Sequence, residues 1–373
     1  SHLDSISINP KAHPGYFTKM FFGDNRSETI PYSLKVARQI FTHLKSFRFK
    51  WHGLWTLGGR SKDIKLTEEY TEEIGTRAVW IPEEPLVLLS LVVVQPFTLL
   101  LTRLTRHCLF VGKNFSIKEN QWFSRLASIY PFSMRCDWKL FDAHVDKELI
   151  LAAMSIIRSC YPQDRFHTRY FSFLTDTIID KKLVVPPGFI YKITKGMPSG
   201  HPLVTLVNTL INYIVWIKLL QKVYGKGKVA ENCYALFSGD DTRLFLKWHP
   251  NLLKIDEIIK EGTHLEADQI VDSLEPAKSL YKDEPNTRFL KRYVNRQGIV
   301  SWHSSSMIRK LLYTDKNLSS VLTTKRWVCS LLYAAPGNNK LNELLCNYVF
   351  HLHDKENYHS VNISQKNKDN YKD

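Results

Sequence analysis

Cysteine is sparse in this chain and follows no pattern. Six cysteines are spread over 373 residues, at 108, 136, 160, 233, 329 and 346, with no C-x-x-C pair. Neither a thiolate zinc site nor a disulfide framework is therefore expected, and a reducing compartment is the default. The opening "SHLDSISINP" lacks a basic segment followed by an apolar core, so it does not read as a secretory signal. Internal repeats are missing, and so is an unbroken apolar run of membrane-spanning length. The nearest candidate, Pro85 to Leu101, is interrupted by Gln95-Pro96 and reads as a buried helix pair. Acidic residues are in deficit: 36 Asp and Glu stand against 51 Lys and Arg, for a net charge of +15 and a pI near 9.4. That balance favours an acidic partner, nucleic acid or an anionic membrane face, and supplies affinity without identity.

What is present is an ordinary globular composition, 44% hydrophobic and 12% aromatic, long enough for two to three domains or one domain with large insertions. Apolar residues at three- and four-residue steps predict a helix in "SLKVARQIFTHLKSF" (Leu34, Ala37, Ile40, Phe41, Leu44), and similar patterns recur in "NQWFSRLASIY", "DKELILAAMSIIRSCY", "LVTLVNTLINYIVWIKLL" and "NLLKIDEIIKEG". The segment "LGGRSKDIKL" reads as a loop before a short strand "TRAVWI". Strands are also expected at "SMRCDWKLFD", in a hairpin within "VVPPGFIYKITK", and in a second hairpin turning at Asn295 to Gly298. Residues from about 305 to 353 look helical, and "HSVNISQKNKDNYKD" reads as a polar, frayed tail. Strands interleaved with helices indicate an α+β or α/β organisation.

Chemistry concentrates at three places. In "ALFSGDDTRLFLKW" two alternating apolar runs flank a turn carrying Asp240 and Asp241, a like-charged pair that a solvated turn would tolerate but a partly buried one would not without a cation. A hard divalent ion needs further oxygens. "CDWKLFDAHV" offers Asp137 at the end of a strand and Asp142 after four residues, although Asp137 could instead cap a helix beginning near Ala143. In "GMPSGHPLVTLVN", Gly196, Ser199 and Gly200 permit close backbone approach to a phosphate or sugar, and a helix begun by Pro202 would present N–H groups to an anion. Asn208 is a lone amide in an apolar helix and needs partners, which a hydroxyl network with Asp142 would provide.

The order "DWKLFD", "GMPSGHPLVTLVN", "SGDD" resembles motifs A, B and C of the palm of viral RNA-dependent RNA polymerases, with a likeness to the partitivirus and picobirnavirus enzymes. "TRAVWIP", "EPAKSLY" and "RFLKRYV" are similar to motifs F, D and E, and the similarity runs from Leu57 to Trp302. The resemblance implies an α+β right hand with an antiparallel-sheet palm, helix-rich fingers and a short helical thumb. Fingers would occupy 1–130 (motif F near 57–82) and 147–190, palm 131–146 and 191–300, thumb 301–360, and a flexible tail 361–373.

Carried over residue by residue, Asp137, Asp240 and Asp241 would ligate two Mg²⁺ ions, with Mn²⁺ able to substitute. Asp142, Ser199, Gly200 and Asn208 would contact the ribose of the incoming nucleotide. Arg77, Arg60, Lys62 and Lys65 would face the triphosphate or line its tunnel, and Lys278 would be general acid to the leaving pyrophosphate. The family pattern places Thr three residues after the His201 position, where this chain has Val204, with Thr205 one step later. Partners implied are RNA template, nascent RNA and NTPs, with capsid protein added if the partitivirus likeness extends to packaging. No stable membrane insertion is expected, and the implied location is host cytoplasm or, for a partitivirus-like enzyme, the virion interior. A reverse transcriptase shares the palm, but Asp142 and Asn208 argue for a ribose. A non-catalytic RNA-binding palm is disfavoured because all three metal carboxylates are present.

Overall fold

The computed structural model describes residues 2–47, 51, 53–61, 76–113, 117–262, 265–268, 274–278, 288–302, 304–312, 320–334 and 340–353. Helices α1 (Tyr16–Phe22) and α2 (Arg26–Ser46) lead into strands β1 (Leu54–Ser61) and β2 (Thr76–Pro82), then helices α3 (Glu84–Arg103) and α4 (Ile117–Ile129). Next come β3 (Phe132–Lys139), α5 (Phe141–His144), α6 (Lys147–Ser159), α7 (Arg165–Ile179), β4 (Lys181–Val185), β5 (Phe189–Ile193) and α8 (Val204–Tyr224). After α9 (Val229–Asn232) the hairpin β6 (Cys233–Ser238) and β7 (Asp241–Leu246) precedes α10 (Leu252–Gly262) and the short strands β8 (Glu266–Asp268) and β9 (Leu274–Pro276). A last hairpin, β10 (Arg292–Val294) and β11 (Val300–Trp302), is followed by α11 (Ser304–Leu312), α12 (Val321–Ala334) and a helical stretch over 340–353.

The central sheet runs β6-β7-β3, with β8 and β9 sharing the far edge of β3. All its pairings are antiparallel. Alternation explains the order: along β3, Met134, Cys136 and Trp138 turn inward while Arg135, Asp137 and Lys139 are partly or fully exposed. Helix α8 is apolar on nearly every side, as expected of a helix packed against the sheet and against α6 and α10. A second sheet, β2-β1-β4-β5, lies on the other side of the loop before α8.

Two expectations need correction. Gly58-Gly59 lie within β1, paired to β2, and not in a loop. A Cβ on Gly58 would come within 2.8 Å of Ile81 Cδ1 on the paired strand, so a side chain there would displace the Ile81 tip. Residues 84–103 form one helix and not a pair, with Pro96 inside it. Proline removes the ladder bond to Val92 O, and the segment around it is held by contacts from elsewhere: Tyr161 Oη donates to Val93 O (3.0 Å), and Gln95 exchanges hydrogen bonds with the Ser7 backbone (3.2 and 2.5 Å). Both α3 and α8 are long and apolar enough to cross a membrane by composition, yet 50% and 67% of the relevant stretches are buried within the fold, which marks core helices.

Composition also hid a buried acid pair at the start of α3. Glu83 accepts from Phe17 N–H (2.7 Å), Thr18 N–H (3.0 Å) and Thr18 Oγ1 (2.6 Å), capping α1, while Glu84 accepts from Thr29 and from Ser33 (2.8 Å) on α2. Burial raises both pKa values, and those donors hold them down in part.

The loop entering α8 is fixed by His201, which is fully enclosed. Its Nδ1 accepts from Leu203 N–H (3.1 Å), so Nε2 carries the proton and faces Ser90 Oγ (3.2 Å), whose own hydroxyl donates to Leu86 O (2.7 Å). The helix starts at Val204 and not at Pro202, with Leu203 at its N-cap and the imidazole satisfying the Leu203 N–H. Burial, and secondarily Lys181, pushes the His201 pKa from 6.5 down to about 3. The unfolded chain takes up a proton that the folded chain refuses, so this contribution to stability is complete above pH 6.5 and is lost as pH falls toward 3. Urea unfolding at successive pH values should show wild-type stability dropping below pH 6.5 by about 1.4 kcal/mol per pH unit more than His201→Gln does. Identical pH dependence in the two proteins would contradict this assignment.

Candidate active site

The β6–β7 hairpin turns through Gly239 and Asp240, with Ser238 opposite Asp241. Gly239 has φ +63°, a conformation in which a side chain would be strained. Register then brings the third carboxylate in. Cys136 pairs with Thr242, so Asp137, one residue further along β3, comes level with Asp241. The three groups feel one another: burial raises the Asp241 pKa to about 6, and Asp240 and Asp137 push the same way against the opposing Arg135 and Arg288. Clustered carboxylates at a half-buried turn are the condition that a hard cation relieves, and carboxylate oxygens suit Mg²⁺. Here Asp137 is ion-paired with Arg135 through Oδ2, and Arg288 also offsets the charge at Asp241. Among the described residues no set of three or more His, Cys, Asp and Glu side chains stands grouped for a metal. A metal ion at Asp137 would have to displace the Arg135 guanidinium. Asp137 does not cap a helix; the short α5 is preceded by Leu140 in the left-handed conformation.

Helix α8 holds this turn in place. Asn212, fully buried, donates through Nδ2 to Gly239 O and Asp240 O (both 3.0 Å), and its Oδ1 accepts from the Trp138 indole (2.9 Å) and Thr242 Oγ1 (3.0 Å). One amide therefore ties the aspartate turn to the strand that carries Asp137. Thr209 adds a second anchor: its Oγ1 accepts from Gly239 N–H (2.7 Å) and donates to Thr205 O (2.6 Å). Neither residue was singled out from the sequence. The signal was there, since Thr205, Asn208, Thr209 and Asn212 fall at the three- and four-residue spacing of one helix face. Thr205, left aside because of the Val204 shift, lies exposed on that face while Val204 is buried.

Asn208 Nδ2 donates to Asp142 Oδ1 (2.6 Å), and Asn208 Oδ1 is buried with no hydrogen-bond partner. An amide with one end held and its acceptor unused is suited to a hydroxyl donor. Met197 N–H donates to Asp142 O (2.6 Å), seating the glycine loop on the segment after β3. Ser199 lies at the other end of that loop, its Oγ between Trp80 N–H (3.4 Å) and Ala78 O (3.5 Å) of β2. A Cβ on Gly200 would overlap Trp80 O at 1.8 Å, so only glycine allows this approach. Ser199 and Gly200 are thus packed on β2, whereas Asp142 and Asn208 form a separate pair.

Arg60 and Arg77 face each other across the β1–β2 ladder. Their side chains, and Lys62 and Lys65 altogether, lie outside the described residues. Lys278 follows β9, with its ammonium near Gly298 in the β10–β11 turn, where an added Cβ would stand 3.9 Å from Nζ. A residue missed in the sequence supports that corner. Arg243 is buried between the Phe123 and Phe245 rings (4.7 and 4.9 Å to the centroids), and it donates to Ser133 Oγ (3.0 Å) and to Ala277 O (3.2 Å), the residue before Lys278. Burial lowers its pKa to about 9, against the pull of Glu275, so it stays charged at neutral pH.

Comparison with known proteins now gives this arrangement a family. A family model described as "Viral RNA-dependent RNA polymerase" matches residues 50–362, and the chain belongs to that family. Among curated relatives, the non-structural polyprotein 1AB of Mink astrovirus 1 is 24% identical over 181 residues, covering 46% of this chain and 12% of the polyprotein. That of Turkey astrovirus 2 is 25% identical over 130 residues, covering 31% and 8%. The chain thus spans a small part of the length of the relatives it matches. Among solved structures, the RNA-dependent RNA polymerase of a human picobirnavirus superposes with a TM-score of 0.62 at 14% identity, covering 81% of this chain and 56% of that one. The sicinivirus 3Dpol RNA-dependent RNA polymerase does so with a TM-score of 0.64 at 14% identity, covering 95% and 76%. The fold is the α+β right hand of these polymerases.

Replacing Asn212 by Ala should destabilise the protein by about 2–4 kcal/mol, because it strips partners from several buried groups at once. Asn208→Ala, which breaks one bond to a partly exposed partner, should cost about 1 kcal/mol. Equilibrium denaturation of the two variants checks the ranking; equal losses would contradict the anchoring role given to Asn212.

Proposed function

We propose that this chain is an RNA-templated RNA polymerase that joins ribonucleoside triphosphates to an RNA 3′-hydroxyl, replicating or transcribing a viral genome. The observation that carries the reading is the register that sets Asp137 of β3 level with the turn bearing Asp240 and Asp241, where burial first, and the neighbouring carboxylates second, raise the Asp241 pKa to about 6. In the reaction the 3′-oxygen forms a bond to the α-phosphorus, the bond from that phosphorus to the β-phosphate bridging oxygen breaks, and pyrophosphate leaves. Asp137 and Asp240, supported by Asp241, would hold two Mg²⁺ ions. When bound, such ions lower the pKa of the attacking hydroxyl and neutralise charge on the leaving group.

The other roles belong to the chain itself. Asp142 accepts the Asn208 amide and so turns the unused Asn208 Oδ1 toward the sugar, where it accepts from the ribose 2′-hydroxyl. Ser199 and Gly200 bring the loop backbone close to the same sugar. Arg77 clamps the triphosphate, and Arg60, Lys62 and Lys65 line the tunnel by which it enters. Lys278 delivers a proton to the departing pyrophosphate. In domain terms the central sheet with α5 and α8 is the palm, the β2-β1-β4-β5 sheet with α1 to α4, α6 and α7 belongs to the fingers, and residues 301–360 make the thumb. The basic excess lines the RNA path, and host cytoplasm is the site of action.

Extension of an RNA primer on an RNA template, assayed with NTPs or dNTPs in Mg²⁺ or Mn²⁺, tests this directly. Wild-type protein should incorporate NTPs in preference to dNTPs, and Asp240→Ala should lower incorporation by at least about 10²–10³-fold. Preference for dNTPs would turn the assignment to reverse transcription. Incorporation of neither substrate, or full activity in Asp240→Ala, would refute polymerase function.

A further inference from the structure

Lys181, at the first position of β4, is fully buried, yet among the described residues no carboxylate receives its ammonium. Its hydrogen-bond acceptors there are three backbone carbonyls: Ile178 O (2.9 Å), Ile179 O (3.5 Å) and Gly196 O (2.9 Å). The first two are the last carbonyls of α7, which have no helical partner and sit at the negative end of the helix dipole. The third belongs to the loop that enters α8. Nζ also lies 6.0 Å from the centroid of the Trp80 ring, on the strand that receives Ser199 and Gly200. Asp180, the nearest acid, is engaged by Lys192 (3.3 Å).

Gly196 is held from two sides. Its φ is +70°, and a Cβ there would stand 2.6 Å from Asp142 O, so the loop backbone lies directly on the backbone of Asp142. The next N–H, that of Met197, donates to the same Asp142 oxygen. The connection is therefore short and continuous: α7 C-terminus, Lys181 ammonium, Gly196 carbonyl, Asp142 backbone, Asp142 carboxylate, Asn208 amide. A methylene stem with no charge would leave the two helix carbonyls and the Gly196 carbonyl unpaired in the interior, and the loop would be free to lift from Asp142.

We infer that Lys181 is a positioning residue for sugar selection: its buried ammonium clamps the Gly196 end of the loop so that Asp142 and Asn208 present a single arrangement to the ribose 2′-hydroxyl. The inference rests on the polymerase reading above. Lys181 touches no substrate and acts only through the loop. Its loss should therefore fall on recognition of the ribonucleotide and spare addition of a deoxynucleotide, which lacks the group being recognised.

The test is single-nucleotide extension of an RNA primer-template by Lys181→Met and Lys181→Arg, with kcat and KM measured separately for an NTP and its dNTP and folding checked by circular dichroism. For Lys181→Met, the kcat/KM for the NTP should fall by about tenfold or more, chiefly through KM, while that for the dNTP changes by less than about twofold. Lys181→Arg, which keeps the charge, should restore much of the discrimination. Equal losses on both substrates, unchanged discrimination, or a Lys181→Met chain that fails to fold would each assign Lys181 to general stability and overturn the inference. A wild-type protein that extends no primer would instead remove the polymerase reading beneath it, an outcome distinct from a discriminating wild type matched by an equally discriminating variant.

Discussion

One buried amide carries the geometry of the site. Asn212 accepts from the Trp138 indole and the Thr242 hydroxyl and donates to the carbonyls of Gly239 and Asp240, so that the strand bearing Asp137 and the turn bearing Asp240 and Asp241 are referred to the same side chain. A long apolar helix is a stiff reference because its flanks are packed in the core, and a hydrogen bond made inside that core is costly to leave unmade. Like charges at a turn would otherwise push apart. Here the backbone beneath the carboxylates holds them together, and burial, with Asp240 and Asp137 adding to it, raises the Asp241 pKa to about 6.

The same helix links this centre to the nucleotide side of the cleft. Asn208 stands one turn before Asn212 and meets Asp142, and Thr209 between them holds the N–H of Gly239. The groups proposed to bind metal and to contact the sugar are thus spaced by the pitch of a single helix. The loop that precedes it is fixed at three points: His201 against Ser90, Gly200 against Trp80, and Gly196 against both Asp142 and Lys181. Each contact uses a residue with a specific physical licence: a neutral imidazole, a glycine where a Cβ would overlap a carbonyl, and an ammonium among orphan carbonyls.

The parts of this arrangement that sequence made legible are those with a local signature. Alternating apolar residues around Asp240 and Asp241 placed them on a hairpin, and the strand pattern before Asp137 set it on a neighbouring element. The order of the three motif segments pointed to the polymerase family before any coordinates. Asn208 and Asp142 were readable as a pair because an amide in an apolar helix requires a partner. What escaped notice depends on distant contacts. Thr209 and Asn212 looked like ordinary helix residues, although with Asn208 they formed a polar stripe. Lys181, in "DKKLVV", carries no local sign of burial, and only the fold encloses it. Gly58-Gly59 carried loop chemistry by composition but strand geometry by pairing with β2. The Gln95-Pro96 break did not split α3, whose middle is held by Tyr161 and Ser7, partners distant in sequence.

The ion pair between Arg135 and Asp137 sharpens the central claim, because Asp137 must be released from the guanidinium to join Asp240 around an ion. A diffraction structure of crystals grown with Mn²⁺, using anomalous scattering to locate the metal, examines that step most directly. The account expects Mn²⁺ between the carboxylates of Asp137 and Asp240, with Asp137 turned away from Arg135. Anomalous density elsewhere, or Mn²⁺ bound by Asp240 and Asp241 with Asp137 still paired to Arg135, would contradict it.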